Sequence, residues 1–454
     1  MKKSIKKIEF KPRHFSQLQF IALGFIIMIF TGAILLNLPY ASKDSNSIGF
    51  IDALFTSTSA SCVTGLVPAD TASHWTFFGH LVIITLIQIG GLGFISIGVF
   101  FAVVLRQKIG LRARGLLKES INSLEIGGVV KLTKRILYGT ALIELIGAVF
   151  LSFRFIPEFG LINGIWYSLF HSISAFCNAG FDLMGDKYGE YCSLTPYCSD
   201  ILVNLVIMFL IIIGGIGFVV WDDVLKHRFR FSKYRLHSKI SIVMTIILII
   251  SAGILFLITE KYTVFAGMDI KTRLLAAAFS SVTPRTAGFN SVDTASLSNS
   301  GKLITMVLMF IGGSPGSTAG GIKTTTLFVL GAYVCAYIRQ THGVDVFKRR
   351  LAEDSIKKAA TILSINLFLV LTAAVIISTI EKLDITDIMF EICSAMGTSG
   401  MSTGITRQIG SVSKIVLIVL MYLGRVGSLS FALAFTRNEK MPNIMQPKED
   451  INIG

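Results

Sequence analysis

Charge is what this sequence has least of. Only 15% of its 454 residues are Asp, Glu, Lys or Arg, against 52% hydrophobic, which is too apolar for a soluble protein of this size. No cleavage pattern of small residues follows the first apolar run, so that run is a retained helix and not a secretory leader. There is no zinc-type cluster of His, Cys and Glu, no serine nucleophile with partners and no phosphate-binding glycine loop, which removes the usual grounds for a membrane enzyme.

What is present is a series of apolar runs about as long as a bilayer is thick, at 18–38, 77–105, 201–221 and 240–259. The net charge of +15 suits nucleic acid in amount but not in distribution. Basic residues fall into clusters between apolar runs: Lys2, Lys3, Lys6, Lys7, Lys11 and Arg13; Arg106, Lys108, Arg112, Arg114 and Lys118; Lys226, Arg228, Arg230, Lys233, Arg235 and Lys239; Arg339, Lys348, Arg349, Arg350, Lys357 and Lys358. The alternate loops are poor in them, with none in 158–163 and only Lys187 in 185–200. This is the positive-inside pattern. It predicts cytoplasmic termini, an even number of spans and no nucleic-acid partner. Six cysteines are spread thinly. Cys192 and Cys198 share one outward loop, where a disulfide and two free thiols are both open readings.

The chain repeats itself four times. FTSTSASCVTGL (55–66), FHSISAFCNAGF (170–181), FSSVTPRTAGF (279–289) and FEICSAMGTSGM (390–401) each open with Phe and end in Gly plus a large apolar residue. The glycines, Gly65, Gly180, Gly288 and Gly400, are 115, 108 and 112 residues apart. A second glycine landmark follows each at offsets of 25, 34, 24 and 24: GGLGF at 90–94, GGIGF at 214–218, GGSPG at 312–316 and GRVG at 424–427. Half-helices at 49–61, 161–176, 269–283 and 383–396 are too short to span, so each dips in and returns. Such backbone survives at membrane depth only where it lines a cavity or is buried in protein. The fold class that follows is an all-α membrane protein with four tandem helix–pore loop–helix repeats in pseudo-fourfold arrangement around one pore. Its boundaries are a cytoplasmic N-terminus 1–16, repeats 17–118, 119–239, 240–358 and 359–437, and a cytoplasmic tail 438–454.

A dehydrated monovalent cation needs several oxygens at once, and rings of backbone carbonyls supply them without burying ionised side chains. The four turns differ in side chain and carry no carboxylate, so their main chains are the candidate ion ligands: Cys62, Val63, Thr64, Gly65; Cys177, Asn178, Ala179, Gly180; Arg285, Thr286, Ala287, Gly288; Gly397, Thr398, Ser399, Gly400. Arg285, after the helix-ending Pro284, is expected to point away from the axis. The negative C-terminal end of each half-helix favours a cation at the centre.

The ordered set CVTGL, CNAGF, PRTAGFN and GTSGMS, with GGSPGSTAGGIK, resembles the Trk/Ktr/HKT superfamily of potassium transporters over about residues 15–436. About 16 polar residues precede the first span, which favours the bacterial Ktr-type membrane subunit. The resemblance implies potassium uptake stimulated by sodium across the bacterial cytoplasmic membrane. It implies a homodimer with one pore per subunit, and a cytosolic KtrA-like regulatory ring. A nucleotide (ATP/ADP or NAD) belongs to that partner alone. In this chain the only metal is potassium at the filter, with membrane lipid around it and no cofactor.

The third repeat's last helix is interrupted by Gly312, Gly313, Ser314, Pro315, Gly316, Ser317, Thr318, Ala319, Gly320 and Gly321. Glycine and proline do not hold a regular helix. The stretch is therefore expected to be an intramembrane loop just below the filter that obstructs the pore and moves aside. An intramembrane cation is costly and usually paired, so Arg425, at the matching place in the fourth repeat, is expected either to donate to carbonyls of the loop or to act as a positive barrier to a cation, with Lys323, at the loop's end, in a similar role. Glu144 lies inside a span and is either functional or paired with a basic residue at the interface. Asp222 and Asp223 are expected to face the cytosol, and His171 to serve packing. The competing reading is a secondary transporter with broken helices for another monovalent cation or small solute.

Overall fold

The computed structural model describes residues 17–93, 115, 128–228, 230–341 and 343–435. The N-terminal basic segment, the cluster at 106–118, the junction of the first two repeats and the tail 438–454 lie outside the described residues.

The helices fall into four sequential groups. The first holds α1 (Gln17–Leu36), α2 (Phe50–Cys62) and α3 (Phe77–Leu92). The second holds α4 (Val129–Phe159), α5 (Leu161–Phe176), α6 (Ile201–Gly215) and α7 (Phe218–His227). The third holds α8 (Leu236–Thr259), α9 (Ile270–Val282), α10 (Asn299–Phe310) and α11 (Thr324–Ile338). The fourth holds α12 (Glu353–Ile380), α13 (Ile385–Gly397), α14 (Ser411–Val426) and α15 (Ser428–Phe435).

Each group opens with a helix long and apolar enough to cross a membrane. The second helix of each group, α2, α5, α9 or α13, has 13 or 16 residues. At about 1.5 Å per residue that falls short of a roughly 30 Å core. The phenylalanine that opens each repeated motif, midway along the helix, anchors it: Phe55, Phe170, Phe279 and Phe390 are at most 1% exposed. The starts are set by Asp269 and Asp384, whose carboxylates cap α9 and α13, and by Gly49 and Gly160 with φ of +95° and +80°.

The apolar run 201–221 is not one straight span, as its composition suggests. It breaks between α6 and α7, which are bent by 96°. Gly217 takes φ +104° there, a conformation that favours glycine. Gly93 and Gly427 take φ +84° and +92° just after α3 and α14, so the second landmark is a helix-breaking device. In the third group the break widens into the loop 311–323. A two-residue antiparallel hairpin, β1 (Asp345–Val346) with β2 (Arg349–Arg350), is an addition to the all-α reading. Asp222 and Asp223 are buried instead of open to the cytosol. Asp222 pairs with Arg135 at 2.6 Å and with Lys226, while Asp223 accepts from Ser238 Oγ at 2.5 Å and Arg235 N at 3.0 Å.

Candidate functional site

The four glycine turns take one backbone conformation. Val63, Asn178, Thr286 and Thr398 have φ of +57°, +59°, +80° and +50°, and two residues later Gly65, Gly180, Gly288 and Gly400 have +96°, +69°, +83° and +87°. A Cβ added to Gly65 would stand 2.5 Å from the carbonyl oxygen of Ala179, and one on Gly180 would stand 2.5 Å from that of Ala287. On Gly288 it would fall closer still to the Ser399 oxygen, and on Gly400 to the Thr64 oxygen. The first turn thus abuts the second, the second the third, the third the fourth, and the fourth the first. The sequence is closed, and only glycine leaves room for it.

Some residues of the turns lie off this ring. Cys62 and Gly397 are the last residues of α2 and α13. The Cys177 thiol donates to Gln88 Oε1 at 3.6 Å, with Glu144 Oε1 at 3.9 Å. Arg285 points away: its Nη2 donates to Thr245 Oγ1 on α8 at 3.3 Å.

On one side of the ring lies a cavity of about 300 Å³, lined by the four glycines and by Asp70 and Asp182, among others. Asp70 is committed to structure, accepting from the backbone N–H of Ala72, Ser73 and Tyr191 at 3.0, 2.8 and 2.8 Å. Asp182 accepts one bond, from Met184 N at 3.1 Å. Burial, and then the charge of Asp70, push its carboxyl up to about 7, against the pull of the Met184 N–H. Asp182 lies two residues past its glycine, where the other turns have Val67, Asn290 and Ser402.

The sequence reading missed two sets of supports. Ser59, Ser174, Thr283 and Ser394 sit four residues after each opening phenylalanine and bond to the turns. The recurring Phe-x-x-x-Ser/Thr spacing was the available signal. Glu391, buried on α13, accepts from Ser402 Oγ and so holds the chain beyond the fourth turn.

Below the ring, the loop 311–323 is tied on three sides. Ser314 N donates to Gly215 O at 3.0 Å, Thr318 N to Gly214 O at 3.2 Å, and Phe218 N to Gly316 O at 2.7 Å. Thr318 Oγ1 donates to Phe176 O at 3.1 Å and accepts from Asn178 Nδ2 at 3.0 Å. Arg425 donates to the carbonyls of Thr318, Gly90 and Gly91, tying the loop to α3. Lys323 Nζ donates to Ala319 O at 2.6 Å and Gly320 O at 3.1 Å. Gly320 lies so close to Thr398 that a Cβ there would overlap its side chain. A cavity of about 430 Å³ bounded by the loop and Arg425 lies on the other side.

Three side readings resolve here. Among the described residues Glu144 has no basic partner; Gln88 Nε2 donates to it at 3.2 Å, behind the second turn. His171 packs as expected: Nδ1 lies 2.7 Å from Tyr167 O, and Leu183 N donates to Nε2 at 3.3 Å. Cys192 and Cys198 are free thiols.

The chain matches the model of the family described as TrkH, cation transport protein, over residues 6–445. It is 43% identical to the potassium/sodium uptake protein NtpJ of Enterococcus hirae, across 100% of this chain and 99% of that protein. It is 41% identical to the Ktr system potassium uptake protein B of Bacillus subtilis, again across 100% and 99%. Its fold is like that of the crystal structure of the potassium transporter TrkH from Vibrio parahaemolyticus, with a TM-score of 0.72 at 18% identity, over 95% of this chain and 87% of that one.

Proposed function

The chain belongs to the TrkH cation transport family, a family of transporters and not of enzymes, and on that footing we propose that it admits potassium into the cell through the ring of four turns. The observation that carries this reading is the closed order in which each turn's glycine meets the next turn's carbonyl oxygen. Four pseudo-equivalent oxygens without a carboxylate among them suit a dehydrated monovalent cation. The four repeats then stand in pseudo-fourfold order about one path, entered from the outward cavity and obstructed below by the loop 311–323 with Arg425 and Lys323. The termini and basic loops face the cytosol, in keeping with the positive-inside pattern. Sodium accompanies or stimulates uptake, a reading supported by the potassium/sodium name of the Enterococcus hirae relative.

The Bacillus subtilis relative is named as protein B of a Ktr system. That supports a second component here: a cytosolic KtrA-like ring that binds the controlling nucleotide, with the membrane subunit as a homodimer. The test is growth on limiting potassium and rubidium uptake by cells stripped of their own uptake systems. Rescue with rubidium flux is expected, and expression without either overturns the reading.

Asp182 gives uptake a pH dependence. Ionised, it draws a cation to the outward cavity. Its carboxyl titrates near 7, so as outside pH falls through that value the charge is lost and uptake at subsaturating potassium declines. Asp70 and Arg407 also line the cavity. Asp182→Asn is therefore expected to hold uptake at the low-pH level from pH 8 to 6, measured as rubidium influx. An unaltered pH profile in that variant rules this role out.

A further inference from the structure

The half-helices carry a repeated feature that the ion path does not itself contain. Ser59, Ser174, Thr283 and Ser394 are all at most 2% exposed, and the backbone treats them alike. Thr64 N, Ala179 N, Ala287 N and Ser399 N donate to the carbonyls of Ser59, Ser174, Thr283 and Ser394 at 2.7, 2.8, 2.9 and 2.9 Å, and Gly288 N donates to that of Thr283 as well, at 3.3 Å. Their hydroxyls divide into two pairs. In the first and fourth turns the hydroxyl accepts from the glycine's own N–H: Gly65 N to Ser59 Oγ and Gly400 N to Ser394 Oγ, both at 3.0 Å. In the second and third it donates to the carbonyl just past the glycine: Ser174 Oγ to Phe181 O at 2.7 Å and Thr283 Oγ1 to Phe289 O at 2.6 Å.

A trans peptide holds its N–H and C=O on opposite sides. Drawing the N–H of Gly65 or Gly400 back to the half-helix therefore aims the carbonyl of Thr64 or Ser399 the other way. Those two oxygens belong to the closed ring. In the second and third turns the bond acts two peptides later and draws the Phe181 and Phe289 carbonyls themselves towards the half-helix. We propose that Ser59 and Ser394 are positioning residues that fix two of the four ring oxygens on the ion and so set discrimination, whereas the Ser174 and Thr283 hydroxyls hold the Phe181 and Phe289 carbonyls, two peptides on, and do not. Two of the four ring oxygens are thus aimed through a side-chain hydroxyl, whereas in the third turn the Gly288 N–H is held by the Thr283 carbonyl itself.

The inference rests on reading the ring as the ion path. It is tested by rubidium and sodium uptake into cells, with KM, Vmax per membrane-inserted protein and the rubidium-to-sodium ratio measured separately. Ser59→Ala and Ser394→Ala leave a buried glycine N–H without its acceptor. Each is expected to raise the rubidium KM and lower the ratio by about tenfold, with Vmax within about twofold. Ser174→Ala and Thr283→Val are expected to leave the ratio unchanged, and Ser59→Thr and Ser394→Thr, which keep the hydroxyl, to retain it. Should alanine fail to insert, Ser59→Cys and Ser394→Cys, close in size but weak as acceptors, carry the same expectation. Equal effects from both pairs, or losses that follow protein amount with KM and ratio unchanged, overturn the proposal. Gly400→Ser in the same assay separates the two levels. If it leaves the ratio intact, the ion-path reading fails. If it shifts the ratio while the serine variants do not, only the division of roles falls.

Discussion

Gly400→Ala is expected to cost the protein the preference for potassium over sodium proposed for the ring, while leaving it in the membrane. The backbone at Gly400 has φ +87°, where any other L-residue is disfavoured by about 1–2 kcal/mol. Space is the larger difficulty. The new methyl group would overlap the Thr64 carbonyl oxygen and stand 2.8 Å from the Gly65 Cα. Both belong to backbone, so neither yields as a flexible side chain does. The oxygen that must move is one of the four that close the ring, and its displacement lowers the affinity for the ion that fits best. A loss of about 1.4 kcal/mol of preferential binding is tenfold in selectivity, and two strained contacts at one ring position make that a lower bound. Gly331→Ala is the control. Nothing lies within 4 Å of a Cβ there, and alanine is the better helix former by about 1 kcal/mol. The measurement is the ratio of rubidium to sodium influx. A Gly400→Ala protein with the ratio of Gly331→Ala removes the ring from the ion's route.

The sequence made this ring legible because an internal repeat is self-checking. Four segments with Phe at one end and Gly at the other locate the turns without any knowledge of packing, and positive φ is a demand that glycine meets at least cost. The hydroxyls at Ser59, Ser174, Thr283 and Ser394 were equally visible as spacing. Yet serine in an apolar half-helix reads as ordinary until its partner is known, and that partner is a peptide group six or seven residues away. Glu144 was left with two readings for a different reason. Counting along a helix gives depth but not neighbours, and its neighbours Gln88, from the first group, and Cys177, after the next helix of its own group, are set by packing. The bend at Gly217 was hidden because an apolar run looks the same whether the helix continues or turns.

Excising Ser314–Thr318 is expected to raise rubidium uptake at least tenfold and leave the rubidium-to-sodium ratio unchanged. The cut is geometrically mild. Gly313 already packs against Ala319, so joining them demands little reach. What is lost is a set of bonds that holds the loop in the place proposed to block the path: Ser314 N to Gly215 O, Thr318 N to Gly214 O, Gly316 O from Phe218 N, Thr318 Oγ1 to Phe176 O, and the Arg425 bond to the Thr318 carbonyl. Each contributes about 1 kcal/mol net. Even if a displaced loop remade all but two of them with water, about 2 kcal/mol would still favour the blocked arrangement, roughly thirtyfold in population. Arg425 keeps its bonds to Gly90 and Gly91 on α3 after the excision, so its charge stays beneath the ring. Arg425→Ala in the shortened chain then separates the two barriers. A further rise means that the guanidinium repels the ion on its own account; no further rise means that it acts only by fastening the loop. Flux that is unchanged by the excision, in protein shown to be inserted, contradicts the obstruction itself, because the segment would then have no part in closing the path.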